Sequence, residues 1–181
     1  VKRDRQLAYS VSATTRPRRR GEVHGASYFF YSEPEFMKKV RQGALLEHAQ
    51  VYGCCYGTPK AQVLRNFRQG RDVIADLDVQ GMRSCKRTLP GTVGVFIIPP
   101  SRRELARRLR GRGTDSSEAV ARREAELAAE LAALPEFDYV VVNDRLENAV
   151  RDVMAIVRAE RLRTARMAPL RPPHRPNRNR R

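Results

Sequence analysis

The segment Ser10-Val-Ser12-Ala-Thr-Thr-Arg16-Pro-Arg-Arg19-Arg-Gly-Glu22-Val-His-Gly25-Ala-Ser-Tyr28 holds the densest group of residues able to do chemistry. Arginines spaced among hydroxyls, followed by an acid and a tyrosine, offer guanidinium forks and hydroxyl donors to a phosphate. The same composition also describes a solvated basic loop. Further along, Asp76 and Asp78 stand two apart after an apolar run. That spacing at a strand end points both carboxylates to one face. Two such acids suit magnesium, directly or through water, or ribose and base contacts. The alternative is a pair of strand-end acids capping a turn.

The elements that must position these groups follow from hydrophobic spacing. From Tyr28 to about Arg163, short apolar runs alternate with helical stretches, the pattern of an α/β fold. Ser32 opens a helix with Glu35 in a capping box, and Gly43 closes it. A second helix runs through Lys60, Val63, Leu64 and Phe67 to Gly70, followed by a buried strand over 72–76. Another strand spans 93–98 and stops at Pro99-Pro100; Ser101 and Glu104 then form the capping box of a further helix. An Ala- and Glu-rich amphipathic helix is expected over 116–134, a strand over 139–142, and a last helix from Asp144 to about Arg163, buried along Leu146, Val150, Val153 and Val157. Buried strands separated by helices imply a parallel sheet with its ligand site at the carboxyl ends of the strands.

The segment Ser-x-Ser-x-Thr-Thr-Arg-x-x-Arg-x-Gly-Glu-x-x-Gly-x-x-Tyr resembles the nucleotide-monophosphate segment of guanylate kinases. The likeness continues through Leu46-Glu47-His48-Ala49, Tyr56-Gly57-Thr58, Asp76-Leu-Asp78-Val-Gln80-Gly81, Pro99-Pro100-Ser101, Gly111-Arg-Gly-Thr114 and Tyr139-Val-Val-Val-Asn143-Asp144. Several motifs in order over most of the chain are far more specific than one glycine-rich loop. The resemblance implies a P-loop NTPase-like parallel core flanked by helices, a small mixed-sheet GMP-binding subdomain and a helical lid. Its expected divisions are 1–10 as a remnant of core (the end of a first helix and a second strand), 11–61 for GMP binding, 62–101 and 125–165 as core, 102–124 as lid, and 166–181 as a basic, disordered tail.

The resemblance also implies roles. Glu47 would read guanine, whose N1–H and exocyclic amine lie side by side and can both donate to one carboxylate. Taken without the neighbouring motif, Glu47 reads instead as a surface acid at a strand end. Ser12 and Thr58 would meet the remaining base-edge atoms, with Gly57 beside them. Arg16, Arg19, Tyr28 and Tyr56 would hold the GMP phosphate, while Arg18 and Arg20 stay solvated. Asp78 would face the acceptor nucleotide, with Gln80 and Gly81 opening the next helix. Asp76 sits like the acid ending a Walker B strand and would hold Mg2+ through water. Arg108, Arg112 and Arg123 match lid arginines that close over the ATP triphosphate, and Asn143 matches a position near adenine, though it could equally cap the last helix. His24, His48, Cys54, Cys55 and Cys85 are left to packing or surface.

The family's opening strand and phosphate-cradling loop, Gly-x-x-Gly-x-Gly-Lys-Ser/Thr, find no match in the 181 residues. Truncation is the expected reason, because a degenerate relative would be expected to lose acceptor and lid residues as well, and the chain starts with Val rather than Met. On that expectation the chain by itself is inactive, since the loop cradles the triphosphate. The leading function is phosphoryl transfer from ATP·Mg2+ to GMP. A non-catalytic phosphopeptide-binding module built on Arg16, Arg19, Tyr28 and Tyr56 is the first rival.

A nucleic-acid binder is the second rival, and it rests on charge. The formal net charge is +16, and residues 158–181 hold nine arginines against one acid. Such a tail is usually a solvated appendage, and nothing like aromatic interleaving supports base contacts in it. Apolar residues at 41% and charged ones at 31% exclude disorder over the whole length. No apolar run approaches the ~20 residues of a membrane span, no signal sequence is recognisable, and three cysteines make neither a disulfide framework nor a closed zinc site. The expectation is a cytoplasmic enzyme with small-molecule partners, and neither membrane nor specific nucleic acid among them.

Overall fold

The computed structural model describes residues 4–51, 53–110 and 130–166. The chain divides into two compact units, Val1–Val93 and Gly94–Arg181.

The first unit begins with β1 (Leu7–Tyr9), which pairs in parallel with β6 (Asp72–Ile74), Tyr9 opposite Ile74. Between them in sequence comes a mixed four-stranded sheet of β2 (Ala13–Thr14), β3 (Phe29–Phe30), β4 (Leu45–Val51) and β5 (Cys54–Pro59), ordered β3-β2-β5-β4. β2 runs parallel to β3 and antiparallel to β5. Gln62 ties the β1–β2 crossing to the helix that follows β5: its side-chain oxygen accepts from the Val11 N–H at 2.9 Å and the Ser10 hydroxyl at 3.3 Å.

Three helices complete this unit. α1 (Glu33–Arg41) starts at the expected capping box, with the Ser32 hydroxyl accepting from the Glu35 N–H and the Glu35 carboxylate accepting from the Ser32 N–H. It ends at Gly43, whose φ of 60° is the left-handed conformation that glycine tolerates. α2 (Lys60–Arg68) stops before Gly70 as expected, and α3 (Val79–Thr88) packs on β4. Phe36 from α1, Val63 from α2 and Met82 and Cys85 from α3 are buried with Leu7, Val11 and Ala13. Cys85 is buried in this core, a packing position, and burial pushes its thiol up to about 11, with Glu47 adding to it.

In the second unit β7 (Val95–Ile98) pairs in parallel with β8 (Tyr139–Val142), Val95 opposite Tyr139. α4 (Arg102–Arg110) and α5 (Leu146–Arg161) accompany them, and α5 packs on β8. Phe96 and Phe137 meet edge to face at 4.8 Å. Near the end of α5 the buried Glu160 accepts from the Tyr139 hydroxyl at 2.7 Å and pairs with Arg163 and Arg166. Among the described residues, no helix is long and apolar enough to cross a membrane.

Several expectations need correction. The parallel pairing of the buried runs is not among them: β1 pairs with β6 in the first unit and β7 with β8 in the second, both in parallel. β6 ends at Ile74, not at residue 76, because its ladder stops with Tyr9 opposite Ile74. Asp76 and Asp78 therefore lie past the strand, and strand alternation does not aim them. Glu104 does not complete a capping box. Ser101 caps the Glu104 N–H at 3.1 Å, but the Glu104 carboxylate is held by Arg107 and Arg108. Leu146, expected to be buried, is 68% exposed because it sits at the very start of α5. Most of the expected helix over 116–134 lies outside the described residues, as do Arg112, Arg123 and the tail residues 167–181; residues 130–132 are helical.

Candidate functional site: an acidic, tyrosine-lined cavity in the first unit

A cavity of about 300 Å³ opens in the first unit, lined by Tyr9, Ser12, Tyr28, Glu47, Ala49, Val51, Tyr56, Gly57, Asp76, Leu77 and Asp78. Each wall has a local cause. β4 contributes Glu47, Ala49 and Val51 through its two-residue alternation. Its pairing with β5 shifts between Leu45 and His48, so Glu47 sits at an irregularity of the kind that re-aims side chains. β5 contributes Tyr56 and Gly57. A Cβ at Gly57 would lie 2.9 Å from the Glu47 carbonyl oxygen and from a Leu45 methyl, so the close approach of the two strands requires glycine there.

Glu47 is buried at 7% exposure, within a strand and not at a surface strand end. The Thr58 hydroxyl donates to its Oε1 at 2.6 Å. A Cβ at Gly81 would stand 3.0 Å from its Oε2, so α3 fits closely against the carboxylate. Burial pushes the Glu47 pKa above the ordinary carboxylate value of 4.5; the Thr58 hydrogen bond opposes this and nearby Asp78 adds to it. Asp78 is the N-cap of α3, its Oδ1 accepting from the Gly81 N–H at 2.7 Å. The capping alternative thus holds for Asp78, and yet it lines the cavity together with Asp76.

Arg16 is fixed beside the cavity by a bidentate pair with Glu22, at 2.7 Å and 3.2 Å. Its guanidinium lies 5.3 Å from the Tyr28 ring centroid and 5.9 Å from that of Phe30. Hydrogen bonding to Glu22 raises the Arg16 pKa, with Tyr56 adding to it, and the same bond lowers that of Glu22. Glu22 also accepts from the Arg19 N–H at 2.7 Å, so one carboxylate braces the loop carrying both arginines. Tyr28 and Tyr56 meet edge to face at 6.2 Å.

The cavity gathers Ser12, Tyr28, Glu47, Tyr56, Gly57, Asp76 and Asp78, and Gly81 abuts Glu47. Thr58 is almost fully buried and its hydroxyl donates to Glu47, so it orients the acid and does not line the cavity. Arg19 is exposed, and Gln80 lies in the first turn of α3 outside the lining. In the second unit Arg108 donates to Glu104 at 2.6 Å and to the Asp144 carbonyl at 3.1 Å. Arg107 and then Arg108 pull Glu104 down to about 2. Asn143 donates its N–H to the Ile98 carbonyl at 2.7 Å, and the side chain engaging the start of α5 is that of Asp144, which accepts from the Arg145 N–H and the Asn148 amide.

Sequence reasoning passed over Tyr9, Ala49, Val51 and Leu77 as lining residues. The alternation from Glu47 points to Ala49 and Val51. Tyr9 had no such signal, because its place depends on the pairing of β1 with β6, where Tyr9 stands opposite Ile74, 65 residues away by sequence number.

Comparison with known proteins identifies the family. The guanylate kinase family profile matches residues 1–160. The chain is 46% identical over 157 residues to the guanylate kinase of Escherichia coli K12, covering 87% of this chain and 76% of that protein. The guanylate kinase of Salmonella typhimurium LT2 matches at the same identity and coverage. The crystal structure of guanylate kinase from Anaplasma phagocytophilum superposes with a TM-score of 0.75 at 34% identity, covering 89% of this chain and 79% of that one. With a profile spanning nearly nine-tenths of its length and relatives at this identity, the chain belongs to the guanylate kinase family.

Proposed function

We propose that this chain serves phosphoryl transfer from ATP to GMP, giving ADP and GDP, and that the cavity of the first unit is the GMP site. The observation that carries the reading is a buried, hydroxyl-oriented carboxylate, Glu47, in one cavity with two phenols that adjoin a braced arginine. Guanine donates N1–H and its amine to Glu47. Adenine presents an acceptor at N1, which a carboxylate repels, and has no amine at C2, so AMP offers Glu47 neither of the two donors that guanine does. A phosphopeptide-binding module has no use for such a carboxylate.

Arg16, Arg19, Tyr28 and Tyr56 hold the GMP phosphate, with Ser12 and Asp78 completing the base and sugar contacts around Gly57, Gln80 and Gly81. The attacking group is a phosphate oxyanion, so the chemistry asks for positioning and charge stabilisation and no strong general base. Arg108, Arg112 and Arg123 supply cations to the ATP phosphates, and Arg108 must exchange its Glu104 contact to do so; Asn143 faces the adenine. Among the described residues no group of three or more potential ligands forms a metal cage. Mg2+ travelling with ATP needs only one or two carboxylates besides water and phosphate oxygens, and Asp76 on the cavity wall fits that demand through water. When bound, the ion supplies charge neutralisation at the phosphates. Free nucleotides as substrates agree with the cytoplasmic location expected from the sequence.

Calorimetric titration of the 181-residue chain tests the acceptor assignment. GMP is expected to bind at least roughly 100-fold more tightly than AMP, the scale on which unpaired buried polar groups discriminate. Equal affinities for the two nucleotides would overturn it.

A further inference from the structure

Tyr9 ends β1, and its side chain forms part of the cavity wall together with Tyr28, Tyr56 and Asp76. It is 43% exposed, an unusual place for a large ring at the end of a strand whose other two residues are buried. Among the described residues its hydroxyl has no hydrogen-bond partner. By contrast, the Thr58 hydroxyl is held by Glu47 and the Tyr139 hydroxyl by Glu160.

The cavity wall joins charged and polar groups from several elements. Glu47 has Thr58, Asp78 and His48 around it. Tyr9 stands opposite Ile74, two residues before Asp76, and shares the cavity wall with Asp76 and Tyr28, which in turn adjoins Tyr56 and the Arg16 guanidinium. Tyr9 therefore shares its stretch of wall with the acid that follows β6 and with the phenols that adjoin the arginine. A doubly charged phosphate entering there comes close to the Asp76 carboxylate, and a neutral donor between the two anions eases the approach.

We infer that the Tyr9 hydroxyl is a third phenolic donor to the phosphate of the bound mononucleotide, set between that phosphate and Asp76. This rests on the GMP site proposed above. A tyrosine phenol keeps its proton at neutral pH and so serves as a donor.

The test uses the 181-residue chain and its Tyr9→Phe variant, which keeps the ring and removes only the oxygen. GMP and guanosine are titrated into both by calorimetry. Loss of a hydrogen bond to a charged group is expected to weaken GMP about tenfold in Tyr9→Phe and to leave guanosine within about twofold. The phosphorus NMR resonance of bound GMP is expected to shift between the two proteins. Unchanged GMP affinity overturns the assignment, and so does an equal loss for GMP and guanosine, which would place Tyr9 at the sugar. A wild-type chain that does not distinguish GMP from AMP removes the site reading itself; GMP-selective wild type with an indifferent Tyr9→Phe removes only the role of Tyr9.

Discussion

Replacing Glu47 by glutamine changes one oxygen to an amide nitrogen and preserves nearly all of the volume in a pocket bounded by Thr58, Gly81 and β5. The Thr58 hydroxyl, which donates to Oε1 at 2.6 Å, can still find the amide oxygen. The other position, now an NH2, faces guanine's N1–H and C2 amine, both donors. One charge-assisted hydrogen bond disappears and a donor meets a donor. The expected loss of GMP affinity is about 2–3 kcal/mol, roughly 30- to 150-fold in Kd, with little change for AMP. Stability moves the other way. Burial raises the Glu47 pKa, so the folded state disfavours the ionised form, and the ligand-free protein loses stability as pH rises from the ordinary 4.5 through the raised value. Glutamine removes that cost, and the Tm of ligand-free Glu47→Gln at pH 7 should equal or exceed that of wild type. Binding carries the opposite sign, because guanine's two donors favour the carboxylate. GMP affinity of the wild type should therefore fall as pH drops through the raised Glu47 pKa, and this acid limb should vanish in the variant. Calorimetry between pH 4.5 and 8 with thermal melts reads all three. A Glu47→Gln protein that binds GMP within about twofold of wild type, or keeps the acid limb, refutes the assignment of guanine reading to this carboxylate.

Two further outcomes follow from contacts around the cavity. Gly81→Ala adds a Cβ 3.0 Å from Glu47 Oε2 and 3.2 Å from Asp78 Oδ1, so the carboxylates must shift. GMP affinity should drop at least about tenfold with no fall in Tm, since alanine favours a helix over glycine by roughly 1 kcal/mol; unchanged affinity would show that α3 does not set the position of Glu47. Glu22→Gln breaks the charged fork that braces Arg16 and the Arg19 N–H. It should weaken GMP roughly fivefold while leaving guanosine alone, and an equal effect on both ligands would mean that Glu22 only supports the fold.

The elements that were legible in the sequence are those fixed by local chemistry. The capping box at Ser32 and Glu35, the closing glycines at 43 and 70, and the run Tyr139–Val142 all appear where spacing placed them. The register of β6 was not legible, since an apolar run does not say where its partner strand ends. Nor was the choice of Glu104 between Ser101 and two arginines on the next turn, which side-chain geometry decides.

At the candidate site the division is sharper. Residue types and spacing suggested phosphate chemistry, because arginine forks and small hydroxyls are recognisable without coordinates, while the guanine-reading role of Glu47 came from the resemblance to guanylate kinases. What the chain could not state is which of them converge. Thr58 turned out to orient Glu47 from behind, Asp78 to cap a helix while lining the cavity, and Tyr9 to join a wall that no motif assigned to it. Those outcomes depend on a strand irregularity, on glycines that let backbones close to within a side chain's width, and on a parallel pairing of distant segments. Local sequence sets what a residue can do, and only the packed fold sets what stands next to it.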